Sequence, residues 1–255
     1  MRKVHRVDSS NVKTRMSAIG TDSMAVLSIS DQRLRSLLTK PAGSLLIHEI
    51  YRSLQGEGTF AGLPCVFIRL TACHLRCVYC DSAHSFHSGD AISIDEIVEK
   101  TLGYRNSLVE ITGGEPLLQP EVFPLMTRLC DAGLTVLLET SGALDIQPVD
   151  PRVRIILDIK TPGSGEASAN LWSNLDHLKP SDEVKFVITD RDDFSWSVDV
   201  VAKYELTRRC PVLVSPAHDR VEPIDLAAWL LESGMEARLQ IQLHKILWGP
   251  KTRGV

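Results

Sequence analysis

The sequence predicts an α/β protein built around a largely parallel sheet. From residue 45 onward, apolar runs of strand length alternate with segments of helical periodicity, which is typical of consecutive βα units. Clusters of Gly, Ser, Thr and Cys follow directly after several of these runs. Because ligand sites in parallel α/β folds lie at the carboxyl ends of the strands, these clusters predict one functional rim.

The strand candidates are runs rich in Val, Ile and Leu that are bounded by turn residues. They cover residues 65–70, 108–112, 134–139, 153–159, 184–188, 212–214 and 239–243.

Helix signals occupy the intervals between the runs. Ser93-Ile94-Asp95-Glu96 has the pattern of a capping box and predicts a helix to about residue 102. A second helix is predicted over 120–130, with Gly133 as its stop. Further helices are predicted over 197–208 and 224–233, and a short one near 32–38.

Composition restricts the class of protein. The chain has 255 residues, of which 44% are hydrophobic, 24% charged and 5% aromatic, so an ordinary globular domain with an aliphatic core is expected. The net charge of −4 excludes the basic surface on which nucleic-acid binding usually depends. No nucleic-acid partner is therefore expected.

The sequence has no apolar run of the roughly 18 residues that a membrane helix needs, so we expect no membrane association. Its N-terminus lacks a secretory apolar region, which favours the cytoplasm. Residues 1–44 are rich in Ser, Thr, Lys and Arg without periodicity. We interpret them as a poorly structured N-terminal extension and residues 45–255 as one catalytic domain.

Three of the six cysteines form the pattern Cys73-x3-Cys77-x2-Cys80. In a reducing compartment such crowding indicates a metal site, and three thiolates on one loop suit an iron–sulfur cluster or zinc. A four-iron cluster with three protein ligands has one iron left for a small molecule. The alternatives are a structural zinc site and chance clustering of the cysteines.

Residues that could complete such a zinc site are His74, His84 and His87. The cysteines outside the triplet, Cys65, Cys130 and Cys210, are expected to pack as small hydrophobes.

The cysteine pattern, followed by Gly113-Gly114-Glu115-Pro116 after the next strand, resembles the radical S-adenosylmethionine (SAM) superfamily. The resemblance implies a modified, incomplete (β/α) barrel, with a [4Fe-4S] cluster on the three cysteines and SAM on its open iron. In that superfamily one electron cleaves SAM to a 5′-deoxyadenosyl radical, and a protein such as flavodoxin or ferredoxin serves as the reductant.

The resemblance also implies SAM contacts on the strand ends. They fall at Tyr79, Asp81, Gly113, Gly114, Glu115, Ser141, Asp158, Ile159, Lys160, Ser215 and His218. Without the resemblance, Lys160 would be a solvated loop lysine, and the segment from Ser215 to His218 would be a simple turn.

The segment Glu49-Ile50-Tyr51-Arg52-Ser53-Leu54-Gln55-Gly56-Glu57-Gly58 and the triplet Cys80-Asp81-Ser82 resemble the 7-carboxy-7-deazaguanine synthase family. That family converts 6-carboxy-5,6,7,8-tetrahydropterin into 7-carboxy-7-deazaguanine with loss of ammonia, a step toward queuosine and related deazapurines. The resemblance implies a homodimer and a Mg²⁺ ligand at Ser82. Alone, Ser82 would be a loop hydroxyl bonded to backbone.

A carboxypterin pocket needs groups for the ring edge and for the carboxylate. Leu54, Gln55 and Gly56 can read the edge through backbone, and Arg69 can bind the carboxylate in a fork. Thr112 lies at a strand end beside the predicted SAM site, and the resemblance of the C-terminal tail places His244 near the substrate. The alternatives are an outward-facing Arg69 and a structural His244 that ends a strand.

Two other functions are compatible with the cysteine triplet. One is a different radical SAM enzyme, such as an activase that makes a glycyl radical on a partner protein. The other is a zinc-binding module without enzymatic activity.

Overall fold

The computed structural model describes residues 34–250 and 252–254. Its strands are β1 (Ser44–Leu54), β2 (Pro64–Leu70), β3 (Asp90–Ser93), β4 (Leu108–Gly113), β5 (Thr135–Thr140), β6 (Arg154–Asp158), β7 (Glu183–Ile188), β8 (Val212–Pro216) and β9 (Arg238–Leu239). They form one sheet in the order β3–β1–β2–β4–β5–β6–β7–β8–β9. β1 is antiparallel to both of its neighbours, and all pairs from β2–β4 to β8–β9 are parallel.

The α-helices are α1 (Arg35–Thr39), α2 (Ile94–Gly103), α3 (Val122–Asp131), α4 (Arg191–Tyr204), α5 (Leu206–Arg209), α6 (Pro223–Ser233) and α7 (Leu243–Trp248). Short 3-10 turns, Pro162–Ser164, Ala167–Ala169 and Trp172–His177, replace a helix between β6 and β7. The two edge strands, β3 and β9, each pair with one neighbour in the described chain, so the sheet stays open. This architecture confirms the predicted incomplete (β/α) barrel.

Alternation along the parallel strands separates two layers. In β4, Val109 and Ile111 belong to the aliphatic core that packs under the helices. Glu110 and Thr112 point to the other face and line a cavity. A second apolar cluster, made of Cys65, Phe67, Leu108, Leu137 and Ile156, lies on that inner face near the strand starts. The inner face is therefore apolar at one end and polar toward the carboxyl rim.

Local signals account for the helix ends. Ser93 Oγ accepts the Glu96 N–H at 3.3 Å and the Glu96 carboxylate accepts the Ser93 N–H at 3.0 Å, which confirms the capping box. α3 ends before Gly133, whose φ of +81° is the left-handed conformation that favours glycine. α4 begins at Arg191, earlier than predicted, because the Asp190 side chain caps it by accepting from the Asp193 N–H.

Two sequence predictions need correction. The strand predicted over 239–243 is only the two-residue β9, and Leu243 instead begins α7. The long strand β1 and its short partner β3 were not predicted. The remaining strands lie within two residues of the predicted bounds at each end.

The predicted N-terminal extension falls mostly on residues 1–33, which lie outside the described residues. The predicted helix near 32–38 overlaps α1. Leu34 is buried, and Lys40 forms an ion pair of 2.5 Å with Glu121. Across the described residues, no helix combines the length and apolar character needed to span a membrane.

Candidate active site

The carboxyl ends of the parallel strands, the cysteine loop and the C-terminal segment enclose a cavity of about 500 Å³. It brings together nearly all residues that the sequence predicted for the site. These are Leu54, Gln55, Gly56, Arg69, Cys73, Cys77, Tyr79, Cys80, Asp81, Ser82, Thr112, Gly113, Gly114, Ser141, Asp158, Lys160, Ser215, His218 and His244. Glu115 and Ile159 do not line it, and the Ile159 side chain is part of the core.

The three cysteines of the triplet lie on the loop that follows β2. Cys73 is buried, Cys77 and Cys80 are half-buried, and all three pack in one cluster with Leu75 and Phe86. None of them forms a disulfide. The loop therefore presents three free thiols to the cavity.

Arg76 holds the cysteine loop in shape. Its guanidinium donates to the carbonyl oxygens of Cys73 and Leu75, both at 2.7 Å. It also lies over the Phe86 ring, 4.2 Å from the centroid, in a cation–π contact. An arginine between the cysteines thus orders the loop without occupying the cavity, which it does not line.

The thiols are protonated at neutral pH unless a cation binds. Burial raises the pKa of Cys73 to about 12, and the Glu115 carboxylate adds to the shift. Burial also raises the pKa of Cys77 to about 11, which the nearby Lys160 partly opposes. A cationic iron centre would displace these protons, because the thiolate is the form that binds metal.

The spacing of the thiols distinguishes a cluster from a single zinc ion. Sulfurs that share one zinc ion at ~2.3 Å lie roughly 4 Å apart. Within the described part of the chain, just one group of His, Cys, Asp or Glu places its ligand atoms within 4.8 Å of one another, and that group is His48, Glu49 and His84. At least one pair of the three thiol sulfurs is therefore more than 4.8 Å apart, which is wider than two thiolates on one zinc ion.

Gly113, which ends β4, and Gly114, which follows it, are required by close approach of the chain itself. A Cβ on Gly113 would stand 2.2 Å from the Leu70 carbonyl oxygen, and one on Gly114 would stand 2.0 Å from that of Ala72. Gly113 also has a φ of +126°. No packing role was predicted for this pair from the sequence. In the structure the pair packs the end of β4 against the start of the cysteine loop.

Glu115 lies behind the cavity lining and binds the residues at the end of β5. It is fully buried, and its carboxylate accepts hydrogen bonds from the Ser141 N–H at 2.8 Å, the Ser141 hydroxyl at 2.5 Å, the Thr140 hydroxyl at 2.8 Å and the Leu117 N–H at 3.0 Å. The structure shows Glu115 in a positioning role, and its direct contact with a cofactor stays a prediction. Glu115 fixes Ser141, which does line the cavity.

Asp158 and Lys160 form a buried ion pair of 2.8 Å at the end of β6. Burial opposes the charge on Lys160, but the Asp158 carboxylate raises the pKa of Lys160 well above its usual range. Asp158 Oδ1 and the Tyr79 hydroxyl are buried atoms without a hydrogen-bond partner among the described residues. These two orphaned polar atoms fit a polar cofactor such as SAM, which would satisfy them.

Lys185 centres a second group of charges deeper in the cavity. Its ammonium lies 3.0 Å from Glu57 and 3.9 Å from Asp158, and it also donates to Glu139. Burial raises the pKa of Glu139. At Glu57 burial also acts to raise the pKa, but the attraction of Lys185 and the hydrogen bonds from Gln242 and Lys185 together lower it. Lys185 and Glu139 were not predicted as site residues from the sequence. The available signal was a charged residue within an otherwise apolar parallel strand.

Glu110 is a further residue that the sequence analysis did not single out. Gln55 Nε2 donates to its carboxyl group, and Gln55 Oε1 accepts the Glu57 N–H at 3.1 Å. Burial and the nearby Glu139 raise the pKa of Glu110 well above its usual range. Burial and Glu139 therefore favour the neutral acid form of Glu110, below the turn that follows β1.

Arg69 faces the cavity, which rejects the alternative of an outward-facing charge. Its Nε donates to Glu49 at 2.8 Å and its Nη2 donates to the Tyr51 hydroxyl at 2.9 Å. The guanidinium is thus oriented by two neighbours from β1. It remains a fork-shaped donor at the cavity wall.

The C-terminal segment closes one side of the cavity. His244 is the second residue of α7 and does not end a strand as predicted. Lys245 pairs with Asp81 at 3.1 Å, and Gln242 Nε2 donates to Glu57 at 2.7 Å. Burial lowers the pKa of His244, and against the effect of burial Lys245 holds the pKa of Asp81 well below its usual range.

Ser82 and the end of β8 complete the lining. The Ser82 hydroxyl is half-buried and donates to Asp81 at 3.1 Å. Ser215 is buried in β8, whereas His218 is exposed and lies 2.9 Å from Asp219. Outside the cavity, Cys65 and Cys210 are buried in apolar clusters and Cys130 packs against the core, as predicted for small hydrophobes.

Comparison with known proteins connects this geometry to a family. The sequence model of the Radical SAM superfamily matches residues 67–162. A 7-carboxy-7-deazaguanine synthase from Koribacter versatilis (strain Ellin345) is 46% identical over 224 residues, covering 82% of this chain and 99% of the relative. One from Chlorobaculum tepidum is 42% identical over 214 residues, covering 83% of this chain and 97% of the relative.

A solved structure shares the fold. The crystal structure of QueE from Escherichia coli superposes with a TM-score of 0.65 at 22% sequence identity, covering 84% of this chain and 100% of that chain. The superfamily match spans the cysteine loop and the glycine pair, and the relatives match nearly over their full lengths. The chain belongs to the 7-carboxy-7-deazaguanine synthase family of radical SAM enzymes.

Proposed function

We propose that the protein catalyses the ring contraction of 6-carboxy-5,6,7,8-tetrahydropterin to 7-carboxy-7-deazaguanine with loss of ammonia. The observation that carries this proposal is the composition of the cavity. Its lining includes the three thiols and the Gly113–Gly114 turn, and it also includes Arg69 and the turn from Leu54 to Gly56. A cofactor site and a site for a carboxylated heterocycle therefore share one enclosed space.

The [4Fe-4S] cluster and SAM, when bound, supply one-electron cleavage of the sulfonium to a 5′-deoxyadenosyl radical. Cys73, Cys77 and Cys80 would hold the cluster. The Gly114 backbone and Ser141 would bind the polar end of SAM, and the hydrogen bonds by which Glu115 fixes Ser141 support this assignment. Further contacts are proposed along the wall, at Tyr79, Asp81, Gly113, Asp158, Lys160, Ser215 and His218. At Ile159, whose side chain is in the core, the proposed contact is through the backbone.

The protein orients the pterin through groups of three kinds. Backbone atoms of Leu54, Gln55 and Gly56 read the amide-like ring edge. Arg69 binds the substrate carboxylate, because its guanidinium is already directed along the cavity wall by Glu49 and Tyr51. Thr112 and His244 complete the pocket from β4 and α7.

A divalent cation is the third proposed cofactor. Ser82 lines the cavity next to the cysteine loop and would offer its hydroxyl to Mg²⁺. A neutral hydroxyl is a weak ligand, so oxygen atoms of the substrate would supply much of the coordination. Such an ion would hold the carboxylate and stabilise negative charge on the substrate.

The assembly and compartment are also part of the proposal. We infer a homodimer in the cytoplasm, with flavodoxin or ferredoxin as reductant. Six free cysteines and a solvent-reachable cluster loop are consistent with a reducing compartment. Light scattering of the purified protein tests the dimer, and reduction of the cluster by each electron carrier tests the reductant.

The deciding experiment is anaerobic turnover. Reconstituted protein is incubated with 6-carboxy-5,6,7,8-tetrahydropterin, SAM and reductant, and 7-carboxy-7-deazaguanine is sought by mass spectrometry. Formation of the product is expected. SAM cleavage without product would favour a different radical SAM reaction, such as glycyl-radical activation, and stoichiometric zinc without iron or sulfide would favour a zinc module.

A further inference from the structure

We propose that His48, Glu49 and His84 form a second metal site, which binds a divalent transition metal such as Zn²⁺ at the rim of the cavity. One ligand atom from each of these residues lies within 4.8 Å of the others. All three side chains are half-buried, so the site is open to an ion from solvent. It is separate from the cysteine triplet and from Ser82.

An irregularity of β1 creates the group. Successive strand residues normally face opposite sides of a sheet. Between β1 and β2, however, Ile47 pairs with Leu70 and Glu49 pairs with Arg69, so His48 is an extra residue without a partner in β2. Such a bulge redirects a side chain, and here His48 and Glu49 reach the same point.

The two imidazoles have a nitrogen available for metal. His48 Nδ1 lies 2.9 Å from the Ser88 carbonyl oxygen and 3.2 Å from the Ser88 hydroxyl. In the tautomer in which Nδ1 donates to that carbonyl, Nε2 keeps its lone pair for a metal. A metal-binding histidine is commonly oriented in this way by a carbonyl at its other nitrogen. His84 Nε2 is a buried atom without a hydrogen-bond partner among the described residues. The rings are in edge contact, with centroids 5.1 Å apart.

The third ligand is a carboxylate that is already held in place. Arg69 Nε donates to Glu49 Oε1 at 2.8 Å, which leaves Oε2 for a cation. The guanidinium thus plays the part of an outer-shell partner for the carboxylate. The same ion pair lowers the negative charge that the site offers, so the imidazole nitrogens must supply much of the affinity.

This donor set selects the class of ion. Two imidazoles and one carboxylate suit Zn²⁺, Co²⁺ or Ni²⁺, whereas Mg²⁺ prefers oxygen ligands. The site should therefore take zinc in the presence of excess magnesium. The cysteine triplet would compete for zinc if it were empty, so the test uses protein whose thiols already hold the iron–sulfur cluster.

The experiment is equilibrium dialysis of the cluster-loaded protein against Zn²⁺ in excess Mg²⁺, with zinc and iron counted by mass spectrometry. Wild type is expected to bind one zinc ion. His48→Phe and His84→Gln are each expected to lower the affinity for that ion by about tenfold or more. His87→Phe is the matched control, because His87 lies on the same loop, is exposed and is outside the group. An unchanged iron content shows that each variant is folded.

Zinc-edge X-ray absorption of the same samples identifies the ligands. Nitrogen and oxygen neighbours at about 2.0–2.1 Å are expected, whereas sulfur at about 2.3 Å would place the zinc on cysteine. A sulfur shell overturns the proposal, and so does zinc affinity that both histidine variants leave unchanged. Neither readout involves turnover, so failure here is distinct from failure of the proposed reaction.

Discussion

The His244 imidazole lies directly against the backbone of Gly56. A Cβ on Gly56 would stand 2.6 Å from His244 Nδ1 and 3.3 Å from the His244 backbone nitrogen. The Gly56 carbonyl oxygen also accepts the Leu243 N–H at 3.0 Å. The turn after β1 and the start of α7 thereby fix each other's position, although Gly56 and His244 are 188 positions apart in the sequence.

Gly56→Ala should displace His244 and the first turn of α7, because the added methyl group has no space. Since small displacements of substrate-positioning groups are costly, we expect kcat/KM for the pterin to fall by about tenfold or more. Gly103→Ala is the control, because nothing lies within 4 Å of a Cβ at that glycine. Equal activity of the two variants would show that the contact with His244 has no functional role.

His244 should make stability depend on pH. Burial lowers the pKa of His244 below its ordinary 6.5, so between the two values the unfolded chain binds a proton that the native protein does not. This contribution to stability is present above the ordinary pKa and is lost as the pH falls toward the lower, folded value. The charged groups that face the ring are Glu57, Lys245, Asp81 and Arg69.

The measurement is the free energy of urea unfolding of wild type and His244→Gln from about pH 7.5 to about pH 5. Wild type should lose more stability than the variant over this interval. Parallel curves for the two proteins would contradict the prediction.

Glu115→Gln should destabilise the protein and weaken SAM binding. The new amide NH₂ group would face the Ser141 N–H, so at least one buried donor loses its acceptor, at a cost of about 2 kcal/mol. The free energy of unfolding and the Kd for SAM are measured together. The exposed Glu99→Gln on α2 serves as the control and should change stability by no more than about 0.5 kcal/mol.

Replacing any one of Cys73, Cys77 or Cys80 by Ala should abolish SAM cleavage and lower the iron content, because two thiolates do not anchor the cluster. Cys130→Ala should keep both, since Cys130 packs against the core away from the cavity. Iron and sulfide analysis of anaerobically reconstituted protein provides the measurement. Comparable iron in all four variants would place the cluster elsewhere.

Ser82→Ala should reduce turnover and its dependence on Mg²⁺ while the cluster stays assembled. Ser82→Thr keeps the hydroxyl and should remain active, whereas Ser82→Cys should shift the preference toward a softer divalent metal. Steady-state turnover is measured across a magnesium titration for each variant. If Ser82→Ala matches wild type throughout, the hydroxyl serves only its hydrogen bond to Asp81.

Site residues at the carboxyl ends of the strands could be predicted from the sequence. Site residues farther from the rim of the cavity could not. Thr112 and Asp158 each precede a visible polar cluster, which marked them as part of the rim. Glu110 and Lys185 lie inside apolar runs, where one charge suggests an exposed face, and Glu139 ends such a run. Their role is visible only in the folded sheet, because its curvature brings alternate residues of neighbouring strands to face the same cavity.

The strand predicted over 239–243 failed for a related reason. The alternation Leu-Gln-Ile-Gln-Leu has the period of a strand, and period alone does not show what the glutamines bind. Gln240 and Gln242 both donate to Glu57, which lies in the loop after β1. That partner is distant in sequence, so the pattern could not distinguish a ladder of backbone hydrogen bonds from a set of side-chain contacts.

The close packing of Gly113 and Gly114 against Leu70 and Ala72 has a mechanical consequence. With no side chain between them, the loop that carries the thiols packs directly against the turn that we propose faces SAM, so we expect the two to behave as one rigid unit. Thermal motion therefore moves both together and leaves the distance between them nearly constant. Binding a cofactor across this junction costs little conformational entropy, because the two halves of its site are already in register before it arrives.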